Sequence, residues 1–186
     1  MIASRSFYRA VVAIALLAFV AGCTKGAQAV AMVPTDTSAV AVDNTYRERV
    51  KIASVTGGEE TSPLWISEIS NADFRNALES AISLAKFKNT TGDLSLKVEL
   101  LEIEQPLVGI SMTVGSSIRY TIMDASQAVI FSETVQASHT TQFSESFLGN
   151  ERLRLANEGS ARANIREFLK RLEIHGQASS NDAATS

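Results

Sequence analysis

The chain is short of the residues from which most active sites are built. It holds one cysteine, two histidines, one tryptophan and three prolines in 186 residues. A single thiol excludes a disulfide framework, and two histidines far apart, His139 and His175, leave zinc without a ligand set. No Gly-x-Ser-x-Gly elbow is present to raise a nucleophilic serine. No Ile, Val or Leu recurs at every sixth position over many turns, which excludes a left-handed parallel β-helix. Positive charge is scarce too: 17 Lys and Arg stand against 20 Asp and Glu, a formal net charge of −3. Nucleic acid is therefore not an expected partner. No apolar run reaches the roughly 20 residues that a membrane-spanning helix needs.

One apolar run is nevertheless informative. Arg5 and Arg9 precede Ala10 to Ala21, a positive n-region followed by an h-region too short to span a bilayer, which is the pattern of an export signal. The run ends in Val20-Ala21-Gly22-Cys23, with small residues in front of the lone cysteine. That tetrapeptide resembles the lipobox of bacterial lipoproteins, whose cysteine is acylated and becomes the first residue of the mature chain. The resemblance implies a leader over residues 1–22, a lipid on Cys23 and a bilayer as partner, since acyl chains gain about 0.8 kcal/mol per buried CH₂. Thr24 follows the cysteine where Asp would signal inner-membrane retention, so the same resemblance implies the periplasmic face of the outer membrane. Without Arg5 and Arg9 the mature chain has 15 basic residues against 20 acidic ones.

Residues 23–45 are Ala, Val, Thr and Asp without sustained periodicity and are expected to form a flexible tether that holds the domain off the lipid. Residues 46–175 are expected to form a single domain, and residues 176–186, polar and small, a disordered tail. Val50, Ile52 and Val55 suggest a first strand. Phe74, Ala77, Leu78, Ala81, Ile82 and Ala85 fall at helical spacing behind the N-cap candidates Ser70 and Asn71. Three alternating stretches follow: Leu94 to Leu100 before Pro106, Ile110 to Met123, and Val129 to Ser138 beyond the short turn Asp124-Ala125-Ser126-Gln127. Two long strands joined by so short a turn pair as an antiparallel hairpin. A last helix lies within Asn150 to Glu173, with Ala161, Ile165, Phe168, Leu169 and Leu172 on its apolar face. Leu153, Leu155 and Gly159 fit that face poorly, so a start at Asn157 is expected. The order β-α-β-β-β-α predicts an α+β fold, a two-layer sandwich of a mostly antiparallel four-stranded sheet with two helices on one face.

The other sheet face carries the candidate site residues. Ser111, Thr113, Ser117 and Arg119 alternate with apolar residues in one strand, and Ser132, Thr134 and Gln136 do so in the next. A whole face of hydroxyls and amides with high β-propensity is expected to stand in water or to meet a partner. His139 lies among Ser138, Thr140 and Thr141 at a strand end; a hydrolase reading would also need an orienting acid and an oxyanion hole. Glu99, Glu102 and Glu104 offer oxygens to Ca²⁺ but no Asp-rich loop joins them, so no metal or cofactor is expected. Arg162, Arg166 and Lys170 run at i, i+4, i+8 and are expected to form a solvated face, with Glu158 to Arg162 and Glu167 to Arg171 as i, i+4 pairs.

Glu104-Gln105-Pro106 through Ile118-Arg119-Tyr120, the segment Phe143-Ser144-Glu145-Ser146-Phe147, and Glu151-Arg152-Leu153-Arg154-Leu155-Ala156-Asn157-Glu158-Gly159-Ser160-Ala161-Arg162-Ala163-Asn164-Ile165 resemble small proteobacterial periplasmic lipoproteins of uncharacterised function. The likeness spans about Val50 to Leu172. Some relatives carry the label UDP-N-acetylglucosamine acyltransferase, and others are compared with lipoproteins that assist envelope transport and lipopolysaccharide assembly. Acyltransferases of that kind are β-helices built from hexapeptide repeats, which this chain lacks. The resemblance implies the sandwich and a periplasmic address, and it carries no catalytic residue. The expected function is that of a non-catalytic envelope module with a protein or lipid partner, the alternative being an envelope hydrolase or transferase with a site near His139.

Overall fold

The computed structural model describes residues 25–61 and 67–184. The expected leader, Cys23 and the Pro63-Leu64-Trp65 approach to the first long helix lie outside them. In chain order the elements are α1 (Ala29–Met32), β1 (Val50–Thr56), α2 (Asn71–Leu84), β2 (Leu94–Glu104), β3 (Met112–Met123), β4 (Val129–Thr141) and α3 (Gly149–Ala184). The fold is α+β: one mixed sheet in the order β1-β2-β3-β4, with α2 and α3 on a single face. β2 to β3 and β3 to β4 are antiparallel, whereas β1 lies parallel to β2. Parallel neighbours cannot be joined by a tight turn, and α2 is the crossover between them.

Local chemistry sets the element ends. The Ser70 hydroxyl caps α2, accepting from the Asp73 amide at 3.0 Å and donating to its carboxylate at 2.7 Å. At the other end the Phe87 amide donates to the Ile82 carbonyl and the Lys86 amide to the Ser83 carbonyl, a Schellman closure with Lys86 held at φ 63°. Val50, Ile52 and Val55 share a face despite their uneven spacing because Ala53 is bulged out of the ladder. A second bulge at Leu101 re-aims the end of β2. The turn between β3 and β4 is closed by Asp124, whose carboxylate accepts from the Ser126 hydroxyl and amide and the Ala128 amide. Those bonds, the Ser126 hydroxyl first, hold its carboxyl below the usual carboxylate range.

The core lies between the sheet and the helices. Phe74, Leu78 and Ile82 of α2 and Ile165, Phe168 and Leu172 of α3 meet Leu96, Val98, Ile118, Tyr120, Ile122 and Val135, all buried. Tyr120 stacks on Phe168 with ring centroids 4.0 Å apart. A polar layer crosses this core. The Tyr120 hydroxyl donates to Asn164 Oδ1 at 2.9 Å, the Asn164 amide donates to the Val135 carbonyl at 2.9 Å, and the Ser160 hydroxyl donates to Ser116 Oγ at 2.9 Å.

Four expectations are corrected. First, α3 begins at Gly149 rather than Asn157; Leu153 and Ala156 close a second small core with Met112 and Val114. Gly159 fits because a Cβ there would lie 2.0 Å from the His139 ring. Second, residues 25–46 are not a free tether. They form a strap laid along α3, with Ala27, Met32, Val40 and Tyr46 buried. The Gln28 amide donates to Glu158, Arg162 donates to the Ala31 carbonyl, Arg166 pairs with Asp36, and Asn44 donates to the Glu173 carbonyl. Third, half-buried Arg162 holds the strap through the Ala31 carbonyl, whereas Arg166 and Lys170 are exposed as expected, Arg166 paired with Asp36; Glu158 pairs with Arg154, not with Arg162. The Glu167 to Arg171 pair is present at 2.8 Å. Fourth, the helix runs through the expected disordered tail to Ala184, secured by Ser180, which donates to the Asp43 carbonyl at 2.6 Å. Tyr46 docks the end of the strap, its hydroxyl 2.7 Å from His175 Nδ1. Burial pushes that phenol up to about 12.

Candidate partner surface

The period-2 alternation of β3 and β4 sends one set of side chains into the core and the other away from the helices. Thr113, Arg119, Ser132, Thr134 and Gln136 are exposed on the outward face and Ser117 is half-buried there. Cross-strand register brings them together: Ser117 opposite Gln136, Arg119 opposite Thr134, and Thr121 opposite Ser132. Hydroxyl pairs bridge the strands, Thr113 with Thr140 at 2.8 Å and Thr121 with Ser132 at 3.5 Å. Ser111 stands apart, one residue before β3 and bonded to Gln142 at 3.0 Å. Ile110, expected to begin the buried set of that strand, is 78% exposed in the preceding loop.

The bulge at Leu101 changes what β2 adds to this face. Without it Glu102 and Glu104 would point with Leu100 into the core; with it they point outward opposite Ser117 and Gly115, while Ile103 turns inward. Glu99 is paired with Arg119 at 3.1 Å. Glu102, Glu104, Ser117 and Gln136 rim a shallow hollow of about 220 Å³ over Gly115. Among the described residues no group of three or more His, Cys, Asp or Glu is arranged to hold a metal ion.

The two edges of the sheet differ. β1 is seven residues long and bulged, and two of its carbonyls, Ile52 and Ala53, are taken by the Arg75 guanidinium. β4 is 13 residues long, contains no Pro and no Lys, and has a ladder partner on one side only. Its single charge, Glu133, turns toward α3 and pairs with Arg171 at 2.9 Å. β4 has guards of its own, a bulge at Ile130, the inward-turned Glu133, and α3 side chains on the Val135 and Ala137 carbonyls, but a long edge without Pro or Lys is still a template for another strand. The hydroxyl-rich face was legible from alternation; the edge needed the strand order, which the sequence does not spell out.

His139 is not part of this surface. It faces α3, where its ring packs against Gly159, and it makes no side-chain hydrogen bond or ion pair with another described residue. Elsewhere, a cleft of about 340 Å³ lies between the ends of β1 and β2 and the start of α3, lined by Glu59, Glu68, Leu101, Gln105, Leu107 and Leu153 among others. Burial, with Glu59 nearby, pushes the Glu68 carboxyl up, although Gln105 donates to it at 2.9 Å.

A scan of family models finds no match to this chain, and a search of curated proteins finds none either. Solved structures do resemble it. Protein XCC0632 from Xanthomonas campestris, of family DUF330, is 14% identical with a TM-score of 0.55, over 80% of this chain and 98% of its own. The hypothetical protein CT253 from Chlamydia trachomatis is 13% identical with a TM-score of 0.51, over 71% and 99%. A minor lipoprotein from Acinetobacter baumannii is 10% identical with a TM-score of 0.48, over 68% and 93%. At such identities the likeness to the first two shows that the fold is shared.

Proposed function

We propose that this chain is a lipid-anchored envelope protein that acts by binding, not by catalysis, and that the β4 edge with its flanking hydroxyl-rich face is where a partner docks. The anchor reading rests on the export signal and on Val20-Ala21-Gly22-Cys23, with the outer membrane as the address that Thr24 favours. The observation that carries the binding reading is the contrast between the two sheet edges. β1 is short and capped by Arg75, whereas β4 is 13 residues long with no Pro or Lys, and its bulge is confined to Ile130 near its start. Strand addition draws affinity from main-chain hydrogen bonds and specificity from alternate side chains. On β4 the side chains beside such a strand are Ser132, Thr134 and Gln136. A protein segment in extended conformation is the partner class this surface suits.

A photoreactive phenylalanine analogue placed at Thr134 in intact cells is expected to crosslink to a discrete envelope protein, while the same group at Ser126, in the turn, is not. Thr134→Arg is expected to abolish the cellular phenotype of the protein without lowering its melting temperature, and His139→Ala is expected to be tolerated. Loss of function in a folded, correctly anchored His139→Ala chain, with Thr134→Arg tolerated, would replace the binding reading with an enzymatic one.

A further inference from the structure

The two loops at one end of the sheet are apolar and open. Between β2 and β3, Leu107, Val108 and Ile110 are 90%, 85% and 78% exposed; between β4 and α3, Phe147 and Leu148 are 78% and 67% exposed. Met112 opposite Thr141 brings the two loops side by side. Arg152 ties them into one platform: its guanidinium donates to the Gly109 carbonyl at 3.2 Å and the Ser146 carbonyl at 2.8 Å, and lies 5.1 Å from the Phe143 ring centre. Residues 105–111 carry no charge at all, and the one charge in residues 142–149, Glu145, is turned back to accept from the Gln142 amide at 2.7 Å. Soluble proteins rarely leave so many large apolar side chains together in water.

The strap says what lies beside this platform. Its contacts climb α3 in step with the chain: Gln28 at Glu158, Ala31 at Arg162, Asp36 at Arg166, Asn44 at Glu173. Followed backwards, it descends toward the first turn of α3, where Lys25 is close enough to Glu151 to help lower its carboxyl pKa, after Arg154. Cys23 is two residues further on, a reach of at most about 7 Å along the chain. The described chain therefore begins beside the start of α3, the end that bears the apolar platform, and Cys23 is tied within that reach of it.

We infer that the platform of Leu107, Val108, Ile110, Phe147 and Leu148 enters the same lipid leaflet that receives the acyl chains of Cys23. This rests on the lipoprotein reading proposed above and adds an orientation: the domain sits directly on the bilayer, platform down, with the long axis of α3 leading away from it. An acyl anchor and an apolar patch at one end are two membrane signals acting together. The β3 to β4 turn, at the far end of those strands, then faces away from the membrane.

The test uses the acylated full-length protein, in which Cys23 is blocked by lipid and an introduced cysteine is the free thiol. Val108→Cys and, separately, Ser126→Cys are labelled with an environment-sensitive fluorophore and reconstituted into vesicles of phosphatidylethanolamine and phosphatidylglycerol. The expected result is blue-shifted emission at position 108, quenched by lipids brominated on their acyl chains, with water-like emission at position 126. Vesicle-bound protein with water-like emission at both positions would overturn the inference while leaving the anchor intact. Blue-shifted emission at position 108 without lipid would also overturn it, showing that copies of the chain cover the platform themselves. A mature chain whose mass lacks acyl groups would instead overturn the lipoprotein reading beneath it, so the two failures are distinguishable.

Discussion

The two faces of the sheet are built from the same strands and obey opposite rules. On the covered face, the polar residues that cross the centre of the apolar core bond to one another, as among Tyr120, Ser116, Ser160 and Asn164, while the buried Thr141 hydroxyl at the end of β4 has no partner among the described residues. On the open face, Thr, Ser, Gln and charged residues pair loosely across strands and need no helix above them. Adjacent residues in β3 should therefore respond very differently to the same change. Ile118→Asp buries an unpaired carboxylate and is expected to cost about 3–5 kcal/mol, enough to abolish the cooperative urea transition of a marginally stable domain. A normal transition for Ile118→Asp would mean that the covered face is not a sealed core.

Asn164→Leu probes the polar layer without opening a large cavity. The Asn164 amide serves the Tyr120 hydroxyl, Ser116 and the Val135 carbonyl, so its loss strands buried partners and is expected to cost about 2–3 kcal/mol in urea unfolding. Gly159→Ala comes next. It gains helix propensity of up to about 1 kcal/mol, yet its new methyl would meet the His139 ring at 2.0 Å, and overpacking of that kind costs about 1–3 kcal/mol. A net loss is expected. In a His139→Ala background the clash is absent, and the same Gly159→Ala change is expected to stabilise.

That glycine shows where the sequence was readable and where it was not. The alternation of β3 placed Met112, Val114, Ile118, Tyr120 and Ile122 on the buried side and Thr113, Ser117 and Arg119 on the other, because a strand with one wet face has to alternate. Gly159 looked like an interruption of α3, since the residue it accommodates is 20 positions away on β4. The strap was illegible for a related reason. It docks through single hydrogen bonds and isolated side chains, each set by a distant partner, so residues 25–46 have no period to detect. The tail reads as disordered from its composition alone, which does not register that Ser180 and Gln177 find Asp43 at the strap's far end. Of the candidate surface, the outward side chains were readable and the Leu101 bulge, which swings Glu102 and Glu104 outward, was not.

The strap extends the covered face, since Tyr46 meets Phe131 edge to face at 6.4 Å. Burial raises the Tyr46 phenol from 10.0 to about 12. A raised pKa means that the folded chain keeps this proton longer than the unfolded one. Its contribution is therefore complete below about pH 10 and is lost as the pH rises through 12. Tyr46→Phe removes both the bond to His175 and this titration. It is expected to cost about 1 kcal/mol near neutral pH, with the gap to the parent chain narrowing in urea titrations at about pH 11. A constant gap would mean that Tyr46 does not titrate differently in the folded state.

The smallest effect is expected on the open face, and its sign carries the information. Ser117 lies directly opposite Glu102, with Glu104 two residues along the same strand and Gln136 on the other side. An aspartate there is not quite silent, because like charges directly opposite each other are unfavourable by about 0.2–1 kcal/mol. Ser117→Asp is therefore expected to cost a few tenths of a kcal/mol, and Ser117→Lys to gain a similar amount. Both shifts should shrink as salt is added, since these groups are solvated and screened over about 10 Å at 0.1 M ionic strength. Equal and salt-independent losses from both substitutions would mean that volume, not charge, is what the site resists. The face would then be packed against something, and the contrast between the two faces would fail at its centre.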